Sequence, residues 1–114
     1  MEELSVENLM ERLPQAFMPE KAKGMAATVY FHLTGAGGGD WVVTIRDQTC
    51  QVSRGQALSS DLTLTASAQD CLDLFTDKLD GFSAYMQGRF QLSGSINLAL
   101  KLVDLFDVKR GNQV

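Results

Sequence analysis

The sequence is poor in the residues that usually build metal and redox sites. Its 114 residues include one histidine, His32, and two cysteines, Cys50 and Cys71. The cysteines lack the close pairing that zinc sites use, and isolated cysteines of this kind are typical of a reducing compartment. We therefore predict no metal site and no cofactor.

The sequence also lacks long apolar runs and an excess of positive charge. No segment approaches the ~20 consecutive apolar residues that a membrane-spanning helix requires. Residues 1–13 are acidic and amphipathic, unlike a secretory signal peptide, and we expect a cytoplasmic location. The formal net charge of -4 argues against a nucleic-acid partner, because phosphates are attracted to basic surfaces.

What the sequence does contain is apolar side chains in regular patterns. Hydrophobic residues make up 45% of the chain and charged residues 21%, the usual balance of a globular protein. The length suits one core, and no repeat or change of composition divides the chain. We predict a single domain over residues 1–114.

Between residues 25 and 66 the apolar positions alternate with the period of two that is typical of strands with one buried face. The inward side chains of four such strands are Ala27, Val29, Phe31 and Leu33; Trp41, Val43 and Ile45; Cys50 and Val52; and Leu62 and Leu64. Gly88 and Gly94 bracket a fifth strand at 89–93. The tight links predict a mainly antiparallel sheet.

Three segments show the helical period of 3.6 residues and begin at a serine that can serve as N-cap. They cover residues 5–16, 67–79 and 95–107, and a shorter helix is predicted at 82–87. Helices that each have one apolar side must cover the apolar face of the sheet. We therefore predict a two-layer α+β domain.

The last helix has more apolar surface than one contact requires. Its apolar residues span roughly 220° of the helix, whereas a stripe of about 100° is enough to seal a core. The surplus predicts a further partner, which is a ligand, another subunit or a second layer of helix. Residues that share this apolar surplus are Phe75, Leu79, Phe82, Tyr85, Met86, Phe90, Leu98, Leu102 and Phe106. Periodicity fits both a filled core and an apolar tunnel.

No group of residues predicts catalysis. The glycine-rich segment 35–40 precedes a strand, whereas a phosphate-binding loop precedes a helix, so we interpret this segment as a hairpin turn. His32 is predicted on the outward face of its strand, with no partner in local sequence reach. We expect a protein that is not an enzyme.

Two stretches resemble the sterol carrier protein 2 family of lipid-binding domains. Residues 13–43 are similar to that family's first helix, first strand, glycine-rich turn and tryptophan-bearing second strand. Residues 61–102 are similar to its more specific half, in which a Met-Gln-Gly segment precedes an alternating strand, a glycine and an apolar helix.

The resemblance implies a five-stranded, mainly antiparallel sheet with helices covering one face and an apolar tunnel between the layers. The tunnel would hold a fatty acid, fatty acyl-CoA, phospholipid or sterol-like lipid. Carried over to this sequence, its lining would be Trp41, Val43, Phe75, Leu79, Phe82, Met86, Phe90, Leu98, Leu102 and Phe106.

The expected function is therefore non-catalytic binding and transfer of apolar ligands, with a transient membrane contact as a further expectation. The alternative is an accessory protein whose apolar groove holds a quinone-type intermediate or a partner helix for other enzymes. The sequence leaves the ligand head group and the oligomeric state open.

Overall fold

A mixed sheet of five strands, with helices packed on its buried face, forms the framework of the molecule. The computed structural model describes residues 5–57, 59–76 and 78–106. Its main elements within these residues are, in chain order, α1 (Val6–Ala16), β1 (Ala27–Thr34), β2 (Gly39–Arg46), β3 (Thr49–Arg54), β4 (Leu62–Ser67), α2 (Ala68–Phe75), α3 (Gly81–Met86), β5 (Gln91–Gly94) and α4 (Ile96–Leu102).

The strands lie in the order β3-β2-β1-β4-β5. β1 and β4 are parallel, and the other three neighbouring pairs are antiparallel. The parallel pair arises because the chain leaves β3 at one edge and crosses to the far side of β1. The α+β class and the mainly antiparallel sheet are thus confirmed.

The alternation of apolar residues predicted the buried face of the sheet correctly. On β1, every second side chain from Ala27 to Leu33 is buried, and His32 between them is exposed. β2 and β4 show the same alternation. Burial of each large aliphatic side chain contributes about 1.5–3 kcal/mol, so a shift of register by one residue would be severely destabilising.

The first helix matches its predicted span of 5–16. The hydroxyl of Ser5 accepts a hydrogen bond from the Asn8 amide at 3.1 Å, and this N-cap begins α1. Pro14 lies inside α1, on its exposed side, and the helix continues through it to Ala16.

The second helix is shorter than predicted. The sequence predicted residues 67–79, but α2 ends at Phe75. There the hydroxyl of Thr76 donates to the carbonyl of Leu72 at 2.7 Å, and the amide of Lys78 donates to the carbonyl of Asp73. These bonds satisfy the last carbonyls of the helix and turn the chain toward α3.

The last strand and helix also differ from prediction at their ends. The fifth strand was predicted at 89–93 but is Gln91–Gly94. The helix predicted at 95–107 is α-helical to Leu102 and then forms a 3₁₀ turn, Val103–Leu105. Residue 107 lies outside the described residues. None of the helices in the described ranges is long and apolar enough to cross a membrane.

Candidate functional site

A cavity of about 460 Å³ lies between α3, α4 and the β4–β5 side of the sheet. Its wall is formed by Leu64, Leu74, Leu79, Asp80, Gly81, Phe82, Tyr85, Phe90, Leu92, Ile96, Ala99, Leu100, Leu102 and Val103. An engineered apolar cavity of ~150 Å³ binds benzene, and small-molecule sites span about 300–1,000 Å³. The cavity is therefore large enough for an organic ligand.

α4 borders both the core and the cavity. Leu98 is buried outside the cavity wall, and Leu102 is buried but also borders the cavity. Ile96, Ala99 and Leu100 lie on another side of the helix and also form part of the wall. Leu100 is 65% exposed. The surplus apolar arc of this helix is therefore divided, with one part packed in the core and the other facing the cavity.

α3 forms the opposite wall. Ala84 is completely buried and fixes the helix to the core, while Phe82 is 66% exposed and lines the cavity. A methyl group at Gly81 would lie 3.0 Å from the Leu74 side chain, so the glycine allows α3 to approach α2 closely. The close approach of α3 to α2 holds the exposed ring of Phe82 beside the cavity.

Four of the ten residues expected to line a tunnel lie in the cavity wall. They are Leu79, Phe82, Phe90 and Leu102. Tyr85, which belonged to the apolar surplus of the sequence, lies there as well. These residues come from α3, α4 and the segments before α3 and β5, so the fold brings together positions up to about a fifth of the chain apart.

Three other expected residues are packed in the core instead. The ring centroid of Phe75 lies 6.2 Å from that of Phe31 and 6.0 Å from that of Phe106. Phe106 in turn contacts Phe17 at 5.7 Å. Leu98 is buried on the sheet side of α4. Mutual packing of the aromatic rings keeps Phe75 and Phe106 out of the cavity wall.

Trp41 and Val43 are also absent from the cavity wall. Both are buried on β2, and β1 lies between β2 and the strand β4 that borders the cavity. The guanidinium of Arg54 lies 4.5 Å from the centre of the Trp41 ring, so the ring has a cation on one face. These two side chains belong to the hydrophobic core on the side of β1 that lies away from the cavity.

Met86 lies neither in the wall nor in the core. It ends α3 and is 68% exposed. It was expected to line the tunnel, but α3 is short and is oriented by the burial of Ala84, which turns Met86 toward solvent.

Several wall residues were missed from the sequence. Ile96, Ala99, Leu100 and Val103 follow the spacing i, i+3, i+4 and i+7, a recognisable second stripe on the last helix. The pair Leu64 and Leu92 lies on adjacent strands in direct register. Each residue had been assigned to an apolar face, but sequence spacing gave no reason to assign it to a cavity.

A polar cluster lies on the outward face of the sheet. Nδ1 of His32 is 2.7 Å from Oδ1 of Asp40, and the hydroxyl of Tyr30 donates to the same oxygen at 2.8 Å. No partner for His32 was identified in local sequence reach, but the β1–β2 hairpin places Asp40 directly opposite it. The bond to His32 and then that from Tyr30 lower the pKa of Asp40.

The cysteines are poorly suited to nucleophilic chemistry. Burial raises the pKa of the Cys71 thiol to about 12, and it does the same for Cys50. A thiol is reactive as its thiolate, and little thiolate exists at neutral pH at such a pKa. In the part of the chain that the structure describes, no cluster of three or more acidic, histidine or cysteine side chains is suitable for a metal ion.

Comparison with known proteins relates this chain to longer proteins. Hydroxysteroid dehydrogenase-like protein 2 of Rattus norvegicus is 26% identical over 102 residues, which are 89% of this chain and 20% of the relative. Sterol carrier protein 2 of Homo sapiens is 34% identical over 65 residues, 57% of this chain and 12% of the relative. The chain thus spans about a fifth or less of the length of these relatives.

A solved structure and a family model cover nearly all of the chain. The palmitated SCP2L2 of Aedes aegypti is 30% identical, with a TM-score of 0.72 over 89% of this chain and 93% of that one. The model of the SCP-2 sterol transfer family matches residues 6–107. The resemblance noted in the sequence is confirmed, and the chain belongs to the SCP-2 sterol transfer family.

Proposed function

We propose that the chain binds a long apolar lipid in the cavity between α3 and α4 and transfers it without changing it chemically. The observation that carries the proposal is the cavity of about 460 Å³ with a mainly apolar wall. Family membership supports lipid as the general class of ligand. The palmitated relative from Aedes aegypti supports an acyl chain as one occupant.

The apolar wall can supply the binding energy of a long chain. Micromolar affinity corresponds to about -8 kcal/mol. Association costs at least about 4 kcal/mol, and each buried methylene contributes about 0.8 kcal/mol. About fifteen methylene groups, or an equal apolar area of a ring system, would therefore give micromolar binding.

Transfer requires that the ligand enter and leave, and the exposed surface beside the cavity suits a brief contact with a membrane. Phe82 and Leu100 border the cavity and are largely exposed, and Met86 adds a third exposed apolar side chain on α3. We propose that this edge faces the lipid surface while the ligand moves.

The test is to extract the purified protein with solvent and identify any co-purified lipid by mass spectrometry. Saturable titration with a fatty acid, an acyl-CoA, a phospholipid, a sterol and a quinone should follow, with recovery of each ligand unchanged. Saturable binding of at least one long-chain lipid is expected. Binding of a quinone alone, or of a helical peptide alone, would favour the accessory role, and chemical turnover of a bound ligand would overturn the non-catalytic reading.

A further inference from the structure

The cavity wall contains one charged side chain among the described residues, and that side chain is an acid. Asp80 lies where the chain enters α3, is exposed to solvent, and borders the cavity together with Gly81 and Phe82. Among the other described wall residues, Tyr85 is the one whose side chain carries a polar atom, its phenol hydroxyl, and the rest are apolar. The polar part of a bound lipid therefore has few groups to recognise it.

Asp80 is held in place by its role as N-cap. Its Oδ2 accepts hydrogen bonds from the amide of Ser83 at 3.0 Å and from the hydroxyl of the same residue at 2.7 Å. Both bonds lower the pKa of the carboxyl group, so it is ionised at neutral pH. Within the described ranges Oδ1 has no protein hydrogen-bond partner, and it can accept one from a ligand.

The basic residues nearest in sequence do not neutralise this carboxylate within the wall. Arg89 is engaged by Asp70, with its Nη2 2.5 Å from Oδ1 and its Nε 3.3 Å from Oδ2. Lys101 lies roughly 150° around α4 from the stripe that faces the cavity. Lys78 is exposed, and neither lysine belongs to the described wall.

We propose that Asp80 selects lipids whose head group donates a hydrogen bond and is neutral or cationic, namely a hydroxyl or a protonated amine. Free fatty acids and other lipids with an anionic head group at this position are disfavoured. The proposal rests on the proposed function of lipid binding and identifies the class of ligand. Repulsion between unit charges about 4 Å apart changes affinity by about fivefold even at the dielectric constant of water.

The experiment compares three probes with one chain length: dodecanol, dodecylamine and dodecanoate. Each displaces a neutral fluorescent lipid from wild type and from Asp80→Asn, at a pH well above the carboxyl pKa of dodecanoate. Asparagine is as good an N-cap as aspartate, so the substitution removes the charge and keeps α3. We expect wild type to prefer dodecanol over dodecanoate by at least fivefold and Asp80→Asn to lose most of that preference through tighter binding of dodecanoate.

A matched control removes the same charge elsewhere. Asp104 is an exposed acid in the 3₁₀ turn after α4 and lies outside the described wall. Asp104→Asn should leave the ratio of the two affinities unchanged. Asp80→Ser, which also retains an N-cap oxygen, provides a second neutral variant should Asp80→Asn fold poorly. Higher salt should strengthen dodecanoate binding to wild type, because it screens the repulsion.

The outcomes separate this proposal from the function on which it rests. Dodecanoate binding to wild type as tightly as dodecanol overturns the selectivity while retaining lipid binding. An equal change for all three probes in Asp80→Asn, or an equal effect of Asp104→Asn, also overturns it. Failure of every probe to bind the folded wild type overturns the proposed function and this inference with it.

Discussion

Replacement of Ala99 by tryptophan is the sharpest test of the cavity as the ligand site. Ala99 is half-buried in the middle of α4, and its small side chain forms part of the cavity wall. The indole of Ala99→Trp would extend into the cavity of about 460 Å³. We expect the variant to lose ligand affinity and to retain most of its folding stability.

The expected size of the effect follows from the volume. A cavity of ~150 Å³ holds one benzene ring, so a two-ring indole would take at least about a third of the 460 Å³. A ligand that loses contact for only two methylene groups forfeits about 1.6 kcal/mol, at about 0.8 kcal/mol each. That free energy corresponds to somewhat more than a tenfold rise in Kd.

The assay pairs a lipid titration with chemical unfolding of the ligand-free protein. Met86→Trp serves as the control, because it introduces the same side chain at a position that is 68% exposed and outside the wall. The control should change neither Kd nor the free energy of unfolding by much. Ala99→Trp should raise Kd at least tenfold.

Three results would count against the reasoning. If Ala99→Trp and wild type bind lipid equally well, the ligand lies elsewhere. If Ala99→Trp loses roughly 1–3 kcal/mol of folding stability, the cost of overpacking a filled core, and its affinity is unchanged, the space beside α4 closes in solution. An equal loss of affinity in Met86→Trp would show that the effect is not specific to the wall.

Three further predictions concern the framework. Gly94→Ala should cost more stability than Gly88→Ala, because φ at Gly94 is +107° and the new methyl would lie 2.3 Å from the Asp61 carbonyl oxygen. Gly88→Ala, strained at φ +81° but unobstructed, should cost only about 1–2 kcal/mol, and equal unfolding free energies for the two variants would contradict this. Hydrogen bonds lower the pKa of Asp40 in the folded state, so this carboxylate stabilises the fold at pH values above its unfolded pKa of about 3.9, and the stabilisation is lost as pH falls through the folded pKa. The free energy of unfolding should therefore fall less steeply with decreasing pH in Asp40→Asn than in wild type, and identical pH profiles would exclude the contribution. With a thiol pKa of about 12, Cys71 should resist iodoacetamide at neutral pH until the protein unfolds, and fast labelling of the native protein would show that the thiol is accessible.

The strands could be predicted from the sequence because their signal is local. Alternate residues on β1 and β2 differ sharply in polarity, and a strand with one buried face must show that alternation. The partner of β4 could not be predicted in the same way. Its parallel pairing with β1 depends on a crossover, and nothing in its own alternation distinguishes one neighbour from another.

Helix ends and the cavity were less predictable because both depend on tertiary contacts. The apolar positions after Phe75 continue the helical period to Leu79, but the side-chain bond from Thr76 ends α2 earlier. Likewise, Phe75 and Leu79 have equivalent patterns, and only the ring contacts of Phe75 place it in the core while Leu79 borders the cavity. The partner of His32 was missed because it lies across a hairpin rather than along a helix.

The divided surface of α4 links ligand binding to stability. Leu98 and Leu102 are buried, with Leu102 also at the edge of the cavity, while Ile96 and Leu100 are exposed side chains of the cavity wall. A lipid in the cavity would cover that second side and so complete the packing of the helix. A ligand at one hundred times its Kd stabilises the protein that binds it by about 2.7 kcal/mol, provided that the unfolded chain does not bind it. Much of that gain should appear as slower hydrogen exchange in α4 and α3, because these helices gain contacts, while β1 and β2 on the far side of the core should change little.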